Sequence, residues 1–197
     1  MSNLPVEMED FFGEARMRDV MVDLETMSVS PNAAIVSFGA VSFDMSRLVC
    51  GERFYTTINL ESCVKFGRMI DAGTVKWWLK QSQDARNDIL GGSQRTLDDA
   101  LRAFESWLDE HTLARNMRCI WGNGADFDCV ILRESFKACG MAEPWLFKNN
   151  RCFRTLKSLW PNIESPAAVG THHNALDDAQ YQVDHLFKIR AMLRSKS

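Results

Sequence analysis

The chain has 197 residues, 46% of them hydrophobic and 25% charged, with a formal net charge of −3. This excludes a disordered chain and suits one substantial core. The mild acidity argues against a nonspecific nucleic-acid coater, which is usually basic, but not against an enzyme that meets phosphates through bound cations.

Residues 1–17 lack the apolar stretch of a signal peptide and read as a short leader, with one domain over residues 18–195. "DVMVDLE" (19–25), "AAIVSFGAVSFD" (33–44) and "ERFYTTINL" (52–60) read as three strands of an antiparallel meander. A helical pattern follows from residue 74, where Thr74 is the expected cap of "TVKWWLKQS". "TLDDALRAFESWLDEH" (96–111) pairs Thr96 with Asp99 as a capping box and places Leu97, Leu101, Phe104 and Leu108 on one face. "MRCIWG" (117–122) is a strand, and "DFDCVILRESFKACG" (126–140) is a helix closed by Gly140. "NRCFRTLKSLW" (150–160) is a short strand then a short helix, and a last helix runs from about Leu176 to Leu193. This order makes an α/β layered domain. No apolar run is long enough to span a membrane. The six cysteines include no C-x-x-C pair and read as reduced thiols of a cytoplasmic protein.

Three segments carry candidate chemistry. Asp23 and Glu25 stand two apart on a strand and so share a face, where two carboxylates repel unless a cation lies between them. In "WGNGADFDCV" a bend leads from a strand into a helix that opens on acidic residues. Capping, by Asp126 in particular, explains that pattern, and so does Asp128 reaching a metal. In "THHNALDDAQ", Asn174 can cap the last helix, assisted by Asp177, or a His–Asp pair can serve a site. His172–Asp177 and His173–Asp178 are both five apart, and helical geometry does not choose between them.

Together these segments match three motifs: D-x-E-T at Asp23–Thr26, a variant of N-x-x-F-D from Asn123 to Phe127–Asp128 with one extra residue, and H-x-A-x-x-D-A from His173 to Ala179. On those residues the chain resembles the DEDDh 3′–5′ exonucleases over roughly residues 18–190, closest to a branch of small bacterial and phage-borne enzymes. The resemblance implies a ribonuclease H-like fold, with a mixed five-stranded sheet of antiparallel strands 1–3 and then parallel strands, flanked by helices. It implies hydrolysis at the 3′ ends of RNA or single-stranded DNA, with release of 5′-mononucleotides. It also implies two Mg²⁺ or Mn²⁺ ions held by Asp23, Glu25, Asp128 and Asp178, with His173 as general base. The motif settles the register, since only His173, Ala175, Asp178 and Ala179 satisfy it.

For substrate, Trp77 and Trp78 lie between Lys76 and Lys80, a pattern suited to stacking bases, with one tryptophan expected in the core and one near the site. Met27, Asn123 and Arg154 complete the expected contacts, with Arg151 and Lys157 as further phosphate candidates. The resemblance leaves a homodimer open and does not separate RNA from DNA. The alternative is a catalytically silent nucleic-acid-binding module. Such modules lose carboxylates, whereas all four acidic positions and the histidine are present.

Overall fold

The computed structural model describes residues 16–91, 94–167, 170 and 173–195. Strands β1 (Asp19–Thr26), β2 (Ile35–Asp44) and β3 (Val49–Thr57) form the expected meander. Four helices follow: α1 (Leu60–Lys65), α2 (Ala72–Trp78), α3 (Gln83–Leu90) and α4 (Leu97–His111). Then come β4 (Cys119–Gly122), α5 (Asp128–Ala138), β5 (Asn150–Cys152), α6 (Phe153–Ser158) and α7 (Ala175–Ser195). The five strands order as β3-β2-β1-β4-β5, with β4 parallel to β1 and β5 parallel to β4. This is the mixed sheet expected above.

Strand alternation sorts the core into two layers. Val20, Val22 and Leu24 of β1 face a cluster that includes Phe38, Phe104, Leu108, Ile131 and Phe136. Met21 faces the other way, onto Val183, Leu186 and Ile189 of α7. Each such large side chain, fully buried, contributes about 1.5–3 kcal/mol. Asp23 and Glu25 continue the odd-numbered face, toward the start of α7.

Several boundaries differ from expectation. The strand assigned to 52–60 spans Val49–Thr57, because Asp44 Oδ1 accepts from the backbone of Ser46 and Arg47 and tightens the turn before it. The strand ends early because Asn59 caps α1, accepting from Ser62 N at 2.9 Å. Asp71, not Thr74, caps α2, accepting from Thr74 N at 2.9 Å. Asp126 is exposed and caps nothing. The helix opens at Asp128, with Phe127 in the cap position. Thr96 does cap α4, and Gly140 adopts the left-handed φ of +67° that ends α5. No helix among the described residues is long and apolar enough to cross a membrane.

Candidate active site

Three pieces of chain meet at the C-terminal end of β1. Asp23 and Glu25 come from β1 itself. Asp128 opens α5, just beyond the end of β4. Gly122 makes room for it, since a Cβ there would lie 2.8 Å from Asp128 Oδ2. His173 and Asp178 come from the start of α7. Asn174 caps this helix, its Oδ1 accepting from Leu176 N and Asp177 N at 3.0 and 3.2 Å. All five groups line one cavity of about 560 Å³.

Ligand atoms of Glu25, His173 and Asp178 lie within 4.8 Å of one another. His173 Nδ1 stands 3.8 Å from Glu25 Oε1, and the His173 backbone N–H donates to Asp178 Oδ2 at 3.2 Å. His173 holds a left-handed φ of +67°. Its ring meets Trp77 and Trp78 edge to face, at centroid distances of 5.0 and 6.0 Å. Gln182 Nε2 donates to Asp23 Oδ1 at 2.7 Å.

The carboxyl groups sit badly as anions. Burial pushes Asp23 well above the usual carboxylate range, and the charges of Asp128 and Asp178 push the same way. Burial, then Asp23, raises Glu25 to about 9. Burial raises Asp128 to about 7, against backbone hydrogen bonds from Leu24 and Asn123 and the charge of Arg154. Two buried amide oxygens on the cavity, Asn123 Oδ1 and Gln182 Oε1, have no hydrogen-bond partner among the described residues. Buried oxygen donors clustered closely enough to repel one another as anions fit hard divalent ions. Asp23, Glu25, Asp128 and Asp178 are the residues that would hold them.

The expected substrate contacts divide. Trp77 is 43% exposed and lines the cavity, as do Asn123, Arg154 and Lys157. Arg154 Nη2 donates to the Asn123 carbonyl at 2.6 Å. Trp78 is only 3% exposed, and its indole N–H donates to the Thr26 carbonyl at 3.0 Å. It supports His173 and Trp77 and is not open to substrate. Met27 is also a correction, being 6% exposed in the core layer away from α7. Arg151 is bound to the carbonyls of Lys148 and Asn150, away from the cavity. Trp121 is buried and donates to Asp19 Oδ1 at 2.7 Å. His172 lies outside the described residues.

Sequence reasoning missed Tyr181, Gln182 and Asp88. The first two lie three and four residues after Asp178, on the same helix face, which was a usable signal. Asp88 on α3 gave none. Its Oδ2 accepts from Asn174 Nδ2 at 3.0 Å, which turns the Asn174 Oδ1 toward the helix amides it caps. Asp88→Ala is therefore expected to loosen the start of α7. A thermal melt should fall by ~2–4 °C, the scale of a weakened cap, with a several-fold loss of any hydrolysis that uses His173.

The comparisons agree with this geometry. Residues 18–190 match the family model described as the 3′–5′ exoribonuclease Rv2179c-like domain. An exodeoxyribonuclease of Enterobacteria phage T4 is 26% identical over 160 residues, covering 71% of this chain and 70% of the phage protein. Among solved structures, the nuclease domain of 3′hExo, a DEDDh family member bound to rAMP, has a TM-score of 0.61 at 13% identity, covering 90% of this chain and 92% of that one. Cell-death related nuclease 4 gives 0.59 at 16% identity, over 90% of this chain and 64% of that one. E. coli exonuclease I in its zinc-bound complex with single-stranded DNA gives 0.58 at 17%, over 92% of this chain but 41% of that one. The chain thus spans less than two thirds of these last two proteins. Their likeness shows the ribonuclease H-like fold, and the family match covers nearly the whole sequence: the chain belongs to the Rv2179c-like 3′–5′ exoribonuclease domain family, a family of 3′–5′ exonucleases.

Proposed function

We propose that the protein is a divalent-metal-dependent exonuclease that hydrolyses phosphodiester bonds from the 3′ end of single-stranded RNA or DNA, releasing 5′-mononucleotides. One observation carries the reading: four carboxylates and a histidine, from three separated segments, converge on one cavity where burial and the neighbouring carboxylates push Asp23 and Glu25 well above the usual carboxylate range. Two bound Mg²⁺ or Mn²⁺ ions would neutralise that cluster, lower the pKa of a water and stabilise charge on the phosphate and leaving oxygen.

The chain's own residues do the rest. His173 accepts the proton of the attacking water. Glu25 Oε1, 3.8 Å from its Nδ1, favours the imidazolium that forms. The two tryptophan rings, each nearly perpendicular to the imidazole, hold its plane. Trp77 offers its exposed indole to a terminal base, where stacking contributes about 1–3 kcal/mol. Arg154 and Lys157, which line the same cavity, meet the phosphates. The six free cysteines support a reducing, cytoplasmic setting. The family's name has exoribonuclease and the phage relative's has exodeoxyribonuclease, so single-stranded ends of RNA and of DNA are both proposed substrates.

The test is hydrolysis of 5′-labelled RNA and DNA oligonucleotides of matched sequence, with Mn²⁺ or with EDTA. A ladder shortening from the 3′ end is expected with metal alone. Asp178→Ala and His173→Ala should each lose about 100-fold or more, while His172→Ala stays near wild type. Full activity in Asp178→Ala would sink the assignment. The ratio of kcat/KM on the two oligonucleotides assigns the sugar preference.

A further inference from the structure

Gln182 is an unusual residue to find where it lies. It is 4% exposed, on α7 one turn beyond Asp178, and it faces the cavity. Nothing in the motif requires it. A buried amide must place both its N–H₂ and its carbonyl, and an unmatched group costs about 1–3 kcal/mol. Its Nε2 is matched by Asp23 Oδ1 at 2.7 Å, whereas its Oε1 is buried with no partner among the described residues. An apolar side chain of the same size would fill the space without that cost, so packing does not explain the amide.

We propose that Gln182 is a positioning residue for the metal centre: its N–H₂ holds the Asp23 carboxylate with one oxygen occupied and the other turned to the cation, and its Oε1 accepts from water that the cation brings. The inference rests on the reading of Asp23 as a metal ligand. A donated N–H favours the ionised carboxylate, and it also stops the side chain from rotating. Outer hydrogen bonds of this kind change metal affinity without touching the metal.

The experiment compares wild type, Gln182→Met and, as a control, Lys188→Met at an exposed position farther along α7, with Mn²⁺ as the probe. Calorimetric titration should show Mn²⁺ affinity about 10- to 100-fold weaker in Gln182→Met and unchanged in Lys188→Met. KM for an oligonucleotide should stay near wild type, and raising Mn²⁺ should recover the rate. A weakening of less than about threefold overturns the inference, and any larger one recovered by Mn²⁺ supports it. Should Gln182→Met not fold, the side-chain amide resonance of Gln182 in the wild type is followed while Mg²⁺ is added. A shift with saturation supports the proposal, and a resonance that ignores Mg²⁺ overturns it. Wild type that neither binds Mn²⁺ nor cleaves defeats the functional reading itself. Wild type that does both beside an unaffected Gln182→Met defeats only the role of Gln182.

Discussion

At pH 8 in EDTA, Asp23→Asn is expected to melt about 2–8 °C above wild type, and with Mn²⁺ supplied it should hydrolyse nucleic acid at least ~100-fold more slowly. A substitution that kills the enzyme should stabilise the fold. The reason is the charge balance of the metal-free site. Asp23, Glu25 and Asp128 have native pKa values raised by burial, Glu25 to about 9 and Asp128 to about 7, against about 4 in an unfolded chain. Between those values the native site holds protons that the unfolded chain has released. Stability therefore falls as pH rises. The carboxyl groups' contribution is complete below about pH 4 and is lost as pH climbs through about 7 for Asp128 and about 9 for Glu25. Asp23 heads the neighbouring charges that raise Glu25. An asparagine there removes that charge and can still accept from Gln182. Scanning fluorimetry from pH 5 to 9 checks this. Wild type should lose stability across the range and recover it with Mn²⁺, whereas Asp23→Asn should lose less and respond less. A wild-type melt indifferent to both pH and metal would refute the account.

The chemistry was legible in the sequence to the degree that local geometry determines it. Asp23 and Glu25 share a face because a strand alternates, and the second and third motifs sit where a sheet of this order brings chain ends together. Alternation misleads two residues later. The β1–β2 register shifts between Glu25 and Thr26, so Met27 leaves the odd-numbered face and joins the opposite core layer. No pattern in "DLETMS" announces that shift. Trp77 and Trp78 show a similar limit. Adjacent helical residues point about 100° apart, so one had to be less buried than the other. Which one faces His173 from the open side depends on how α2 docks.

The missed helices have a common cause. α1 spans six residues, and α3 buries only Ala85 and Ile89. Neither has enough apolar periodicity to register in a scan, and both are set by side-chain caps, Asn59 and Ser82. Yet α3 supplies Asp88, which reaches Asn174 across 86 positions of sequence. A contact so distant is a property of the packed domain and has no local signature. Gln182 falls between these cases, since its spacing from Asp178 was visible but its partner Asp23 lies 159 positions away.

Gly39→Ala should be the most damaging single methyl group in the molecule, with a melting temperature lower by ~5–12 °C and hydrolysis reduced about 100-fold. Gly39 pairs directly with Asp23 across β1 and β2, so an added side chain would point to the same face as the carboxylate. That face is where α7 begins. A Cβ on Gly39 would lie 2.3 Å from the carbonyl carbon and oxygen of Ala175 and 2.4 Å from Leu176 N. All three are backbone atoms, so no rotamer change relieves the clash and the helix start must move. His173 and Asp178 move with it, while Asp23, Glu25 and Asp128 stay with the sheet and α5. A displacement of about 1 Å is enough to cost a catalytic group two orders of magnitude. Circular dichroism below the melting transition should show intact secondary structure, which separates misplacement from unfolding. Mn²⁺ should bind more weakly, because Asp178 has left the other carboxylates. Gly39→Ala with native melting and native activity would mean that α7 does not approach β2 this closely, and would remove the steric reason that a glycine stands opposite Asp23.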